Sequence, residues 1–187
     1  MLWAGVIGGL EVREAEGGAT RLRATFPYGA PAELARGRSE VIAARAFAER
    51  IEAGGDIHLL SGHDFNRPLA SRSAGTLELR ETESALELEA SISAELRAVS
   101  YVADFLTAHR AGLVRGISPG FRVPPGGERI ERRGDGLLRT ITRAELFEVS
   151  TVTRPAYPAA QIEARSWAAG QDAPDSGLAR TLARWRA

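Results

Sequence analysis

The chain has no cysteine. That absence removes disulfides, thiolate metal sites and cysteine nucleophiles together, and it suits a reducing compartment. Lysine is missing as well, so all 24 basic side chains are arginine. With abundant alanine and glycine, this reflects GC-rich coding more than fold. Net charge is absent too, at +0, so no overall attraction to nucleic acid or an anionic membrane is expected. No apolar run is long enough to span a bilayer. The opening stretch from Met1 to Leu10 is apolar, but it lacks a basic n-region and is too short for a signal peptide. Together these absences predict a cytoplasmic protein with neither nucleic acid nor membrane as a partner. Histidine is scarce, with three in the chain, which keeps the search for a general base short.

What is present fits one domain with a core of its own and a tail, in 187 residues. Residues 1–162 are expected to form the domain and residues 163–187 a linker and tail. Pro155 and Pro158 close the domain, Ser166 to Gly177 has linker composition, and Leu178, Leu182 and Trp185 share one side of a short basic tail helix. Alternating apolar and polar residues predict strands at the end of residues 2–14, over Arg21–Phe26, Ile57–Leu60, Leu77–Arg80, Leu86–Ala90, Leu113–Val123, Leu137–Thr142 and Glu145–Val152. Residues 29–39 read as a loop. Asn66, Arg67 and Pro68 read as a turn, and Arg129 to Asp135 as a charged loop or hairpin tip. Glu40 to Ile51 carries Ala44, Phe47, Ala48 and Ile51 at helical spacing. A longer helix opens at Ser93, with Leu96, Val99, Val102, Ala103 and Leu106 as its stripe, and stops at Gly112. Antiparallel strands without regular βαβ alternation point to a mainly β, α+β domain rather than a doubly wound one.

The stretch Leu113-Val-Arg-Gly-Ile-Ser-Pro-Gly-Phe-Arg-Val123 is the most informative. Pro119 cannot donate a ladder hydrogen bond, so this strand is expected at an edge or at a bulge. Gly116 and Gly120 strip side chains from both sides of Ser118, which would let a substrate backbone approach and present the hydroxyl. The run Gly116-Ile-Ser-Pro-Gly120 matches the nucleophile-elbow pattern of α/β-hydrolases, but that motif needs a following helix and a downstream histidine. Here Pro124-Pro-Gly-Gly127 follows, and His58, His63 and His109 all precede the serine. The elbow reading is therefore rejected.

A serine needs a base to become nucleophilic near neutral pH. His109, near a helix C-terminus, reads as structural. His58 and His63 sit at an odd spacing, which on one strand would put them on opposite faces and weakens a shared metal site. His63, just after a short apolar strand and before a turn, is the better base, although a surface-loop histidine would look the same. Its orienting group is not Asp64, whose side chain points away from its neighbour's on an extended chain. Glu148, in the otherwise apolar or hydroxylic Leu146-Phe-Glu-Val-Ser-Thr-Val152, would need a partner if buried; an edge glutamate facing water is the alternative. Glu145, at the start of that strand, is the fallback.

These segments also carry a resemblance. Leu59-Leu-Ser-Gly-His-Asp64 with Pro68-Leu69, Gly116-Ile-Ser-Pro-Gly-Phe121, Ala144-Glu-Leu-Phe-Glu-Val-Ser150 and Arg154-Pro-Ala-Tyr-Pro158 resemble, in order, the prohead (procapsid maturation) proteases of tailed bacteriophages. Glu40-Val-Ile-Ala-Ala-Arg-Ala-Phe47 resembles the segment that precedes the histidine in that family, and the likeness spans roughly residues 20–162. The resemblance implies a herpesvirus-protease-like β-barrel flanked by helices. It implies a serine endopeptidase working inside assembling procapsids in the host cytoplasm, for a phage, a prophage or a gene-transfer agent. The substrates it implies are the scaffolding segment of the major capsid protein precursor and often the protease itself; self-association stays open. It assigns His63 as base, Ser118 as nucleophile and Glu148 as third member, with no metal or cofactor. The herpesvirus relatives use a second histidine in the third role, so an acid must replace it here. Ala24-Thr-Phe-Pro-Tyr28, and Ala-Arg-Ala before Phe47, depart from the family's pattern. The competing readings are a capsid-assembly or scaffolding factor that keeps the fold without activity, and a different serine hydrolase such as an esterase. Arg154 and the Gly116–Gly120 loop are candidate oxyanion donors.

Overall fold

The computed structural model describes residues 10–15 and 18–153. In chain order its elements are strands β1 (Leu10–Glu14), β2 (Thr20–Pro27), β3 (Ala32–Ala35) and β4 (Arg38–Ile42), helix α1 (Ala48–Glu52), and strands β5 (His58–Ser61), β6 (Asp64–Ser71), β7 (Leu77–Glu81) and β8 (Ala85–Ile92). Helices α2 (Ala94–Arg97) and α3 (Ser100–Arg110) follow, then strands β9 (Gly116–Arg122), β10 (Glu128–Arg133), β11 (Gly136–Ile141) and β12 (Glu145–Val152). The described residues are thus mainly β with few helices, in keeping with an α+β class. They form three four-stranded sheets, ordered β1-β2-β8-β7, β10-β11-β4-β3 and β6-β5-β12-β9. None of these orders closes on itself. Among the described residues no helix is long and apolar enough to cross a membrane. The linker, the tail, Pro155, Pro158 and Arg154 lie outside the described residues.

Alternation explains the first sheet directly. β2 buries Thr20, Leu22, Ala24 and Phe26 and exposes the residues between them, as a strand with one face on the core must. One core runs beneath the sheets, with Phe47, Leu22, Ile57, Leu59, Leu86, Ile92, Val102, Ile141, Leu146 and Val149 fully enclosed.

Five local expectations fail. Residues 29–39 are not a loop, because β3 and the start of β4 pair there as a hairpin. Glu40 to Ile51 is not one helix: Glu40, Val41 and Ile42 complete β4, which lies parallel to β11, and only Ala48–Glu52 is helical. A strand partner about a hundred residues away overrides the local spacing. Asn66, Arg67 and Pro68 do not turn the chain but lie within β6. Of Arg129 to Asp135, expected as a loop or hairpin tip, the residues up to Arg133 belong to a strand paired with β11, and only Gly134 and Asp135 form the tip. The helix opening at Ser93 is also two helices. Ser93 caps α2 as expected, its hydroxyl accepting from the Leu96 N–H at 3.2 Å, but Val99 turns extended and α3 starts afresh. The two halves serve different neighbours. Arg97 of α2 reaches the Gly18 carbonyl at 2.6 Å, whereas α3 buries Val102, Phe105 and Leu106 and bonds the Pro68 carbonyl through Tyr101 at 2.7 Å. Val99 and Ala103 of the expected stripe are exposed, and Phe105 takes their place in the core.

The pairing of β11 with β4 and β10 is reinforced by a buried ionic group. Arg139, 4% exposed, bonds Glu40 Oε2 at 3.0 Å and Glu128 Oε2 through Nε at 2.6 Å; Glu40 is 1% exposed. A carboxylate so enclosed is tolerated only while its cation stays. Arg139→Met is therefore expected to destabilise the fold by about 3–5 kcal/mol, read from denaturant unfolding.

A second polar group ties the first sheet to the core. Glu81 Oε1 accepts from the Tyr28 hydroxyl at 2.5 Å and from the Phe47 N–H at 2.9 Å, while Glu81 Oε2 is buried without a hydrogen bond. Burial pushes the Glu81 carboxyl above the usual range, against the lowering pull of those two bonds and Arg45. The tyrosine is pushed up as well, first by burial and then by Glu81. An acid raised by folding stabilises the fold at low pH, and that contribution is lost as pH rises through the folded pKa. Relative to the native chain, Glu81→Gln is therefore expected to gain thermal stability as pH rises from 4 toward 7, compared by melting temperature at each pH.

Candidate active site

The site forms where the third sheet brings together three segments distant in sequence. β5 and β6 are joined by the two-residue turn Gly62–His63, closed by the pairing of Ser61 with Asp64. Both turn residues have positive φ, 67° for Gly62 and 61° for His63, as a type I′ hairpin turn requires. Histidine tolerates this region better than most side chains, but the conformation is still uncommon and costs energy. Two bonds to β12 hold it. The Gly62 N–H donates to the Thr151 carbonyl at 3.1 Å, and the His63 N–H donates to Ser150 Oγ at 2.9 Å.

The imidazole meets the carboxylate expected for it. His63 Nδ1 lies 2.8 Å from Glu148 Oε1. Glu148 is 4% exposed, so it is the buried rather than the water-facing glutamate. Its other oxygen, Oε2, accepts from the Ser150 hydroxyl at 2.5 Å. With a carboxylate on Nδ1, the neutral ring carries its proton there, which leaves Nε2 as the basic atom.

β9 is an edge strand, one of the two outcomes predicted from Pro119, and among the described residues it pairs with β12 alone. Its register puts Ser118 directly across from Ser150 and Gly120 across from Glu148. Paired residues share a sheet face, so Ser118, Gly120, Glu148 and Ser150 lie on one side, and Ile117 and Val149 enter the core on the other. Ser118 is 7% exposed; the hydroxyl is set into this face rather than standing free as the flanking glycines had suggested. Among the described residues no hydrogen bond joins it to His63. Such bonds commonly tighten only with substrate in place.

Gly120 gives space to a neighbouring side chain. A Cβ there would lie 1.9 Å from Glu148 Oε1 and 2.7 Å from its Cδ, so the glycine makes room for the carboxylate.

The remaining candidates fall away from this cluster. Glu145 pairs with Arg122 at 2.6 Å on the surface. Asp64 accepts from the Asn66 N–H at 2.8 Å and steadies its own hairpin. His58 lies 3.5 Å from Asp56, and its ring meets Phe65 edge-on at 6.0 Å. His109 bonds the Val114 carbonyl at 2.8 Å through Nδ1, a structural link at the end of α3. Ser150 was not singled out from the sequence. The available signal was its hydroxyl two positions after an acid in a buried strand, which alternation places on the same face.

A strand serine, a hairpin imidazole and a buried carboxylate on that imidazole are the groups a serine hydrolase uses. Comparison with known families narrows the class. The model of the caudovirus prohead serine proteases matches residues 10–172, and the chain belongs to that family. No curated protein and no solved structure matches it.

The fit of Glu148 over Gly120 can be tested. Gly120→Ala is expected to push the carboxylate off His63. Modification of the chain by a peptidyl phosphonate should then slow by about 100-fold, the effect of roughly 1 Å of misplacement, and the melting temperature should fall as the enclosed carboxylate gives up its donors.

Proposed function

We propose that this chain is a serine endopeptidase that cleaves the scaffolding segment of the major capsid protein, and itself, during procapsid maturation of a phage, prophage or gene-transfer agent. It would act inside assembling procapsids in the host. The observation that carries the reading is the 2.8 Å contact between His63 Nδ1 and Glu148 Oε1, on the face of the sheet that also holds Ser118. Family membership supplies the reaction class and the capsid setting.

In the proposed mechanism Glu148 fixes the Nδ1–H tautomer and stabilises the imidazolium that forms. His63 Nε2 takes the Ser118 proton as Ser118 Oγ attacks the scissile carbonyl. The tetrahedral intermediate collapses as His63 returns the proton to the leaving amine, giving an acyl-enzyme. Water, activated by the same imidazole, then releases the acid and frees the serine. On this reading a carboxylate would take the third role, which the herpesvirus proteases that the family resembles give to a second histidine. The architecture proposed with it is the herpesvirus-protease-like barrel, over a domain of residues 1–162 followed by a linker and tail over 163–187.

The test pairs the purified chain with major capsid protein precursor. Ser118→Ala and His63→Ala are expected to leave the precursor intact. Glu148→Gln should slow cleavage by about 10^4-fold, as expected when the orienting carboxylate of a triad is lost. Gel and mass analysis follow the cleavage. Equal survival of precursor with native chain and with Ser118→Ala would remove the protease reading and leave a capsid-assembly factor. Rapid turnover of small esters with no cleavage of the precursor would favour an esterase.

A further inference from the structure

We propose that Ser150 is a positioning residue of this site, a fourth side chain that locks the imidazole and the carboxylate to one another; the inference rests on the protease reading above. Its hydroxyl is used in both directions. It accepts the His63 N–H at 2.9 Å and donates to Glu148 Oε2 at 2.5 Å. The residue is 0% exposed, so its hydroxyl is shut off from solvent. One oxygen therefore fixes the backbone that carries the base and the side chain that orients it.

The same geometry separates two neighbouring serines. Ser150 and Ser118 are register partners on adjacent strands of one sheet. Either hydroxyl, judged by chemical type, could be the nucleophile. Ser150 has its only proton engaged by a carboxylate and lies where Oγ also receives an N–H. It is held as a donor to Glu148 and does not give its proton to the imidazole. Ser118 makes no such pair of bonds among the described residues, which keeps the nucleophile's role with it.

Ser150 also explains how an uncommon backbone persists at His63. The 61° φ of that residue is held by the bond from its own N–H. Without the Ser150 hydroxyl, the half-buried N–H and the buried Oε2 would each lose this partner. The turn and the carboxylate would then be free to separate, and Nε2 would no longer be aimed by a fixed ring.

The experiment compares native chain, Ser150→Ala, Ser150→Thr, Ser118→Ala and Ile92→Val, the last a mild core change in another sheet that controls for stability. Phosphonate modification gives a maximal rate and a half-saturating concentration. Proton NMR follows the downfield Nδ1–H resonance of an imidazole bonded to a carboxylate. Ser150→Ala is expected to lower the maximal rate by about 10–100-fold, as loss of a group that orients a functional side chain does. Half-saturation should stay unchanged, and the downfield resonance should broaden or vanish. Ser150→Thr, which keeps the hydroxyl, should recover the resonance and most of the rate, and Ile92→Val should alter neither. Native rate and resonance in Ser150→Ala would overturn the inference, as would a loss reproduced by Ile92→Val. The protease reading fails separately: the phosphonate would then not modify the native chain at Ser118, while loss of the resonance in Ser150→Ala would still support the positioning role.

Discussion

The site depends on holding one carboxylate in place in a nearly closed space. Glu148 is enclosed to 4% exposure, and an isolated anion so placed is costly unless its oxygens find donors. Each oxygen has one, the His63 ring on Oε1 and the Ser150 hydroxyl on Oε2. Space is the second requirement, met by the missing side chain at Gly120. The donors come from a hairpin turn and from β12 itself, and the space comes from β9. The carboxylate therefore ties the relative placement of β5, β9 and β12 to the direction of one imidazole.

An irregularity in β12 makes this arrangement compatible with a core on the other face. Strict alternation would put Leu146, Glu148 and Ser150 on one side of the sheet. The register against β9 shifts between Leu146 and Glu148. Leu146 thereby pairs with Phe121 and both join the core, while Glu148 keeps its place opposite Gly120. Phe147 absorbs the extra position, between the guanidinium groups of Arg50 and Arg122 at 5.9 and 5.8 Å from its ring centroid. Bulges of this kind re-aim side chains beside functional sites. Phe121 in turn meets Phe47 at 5.5 Å between ring centroids, so the strand bearing Ser118 is braced from the core side.

What was legible in the sequence was what local chemistry dictates. The hairpin of β7 and β8 and the edge character of β9 at Pro119 could be read from residue type and alternation, and the three candidate site side chains were proposed from the family pattern. What was not legible depends on distant partners. Val41 and Ile42 fall in the segment read as a helix, yet β11 claims them for a parallel pair, with Glu40 meeting Arg139 across it. Ser93 caps a helix as its sequence says, but nothing local shows that Arg97 and Tyr101 bind different parts of the molecule. The fit of Glu148 over Gly120 was not legible, because a glycine that yields space to a side chain on the next strand looks the same in sequence as one that yields it to a ligand. Ser150 was hidden because its importance lies in the two bonds it makes, not in its reactivity.

The chemistry of a histidine in a loop is ambiguous until its backbone is known. A surface imidazole would turn freely and keep its ring in water. His63 has 23% of its side chain exposed and sits in a backbone conformation that most side chains avoid. A turn of this type accepts glycine or asparagine at lower cost, so nothing in the hairpin itself calls for histidine. The cost is offset only by bonds formed after the turn has closed, from Gly62 and His63 to β12 and from the ring to Glu148. A residue that is locally unfavourable, and whose stabilising partners all lie about ninety positions onward, is explained by what its ring does rather than by what its turn needs.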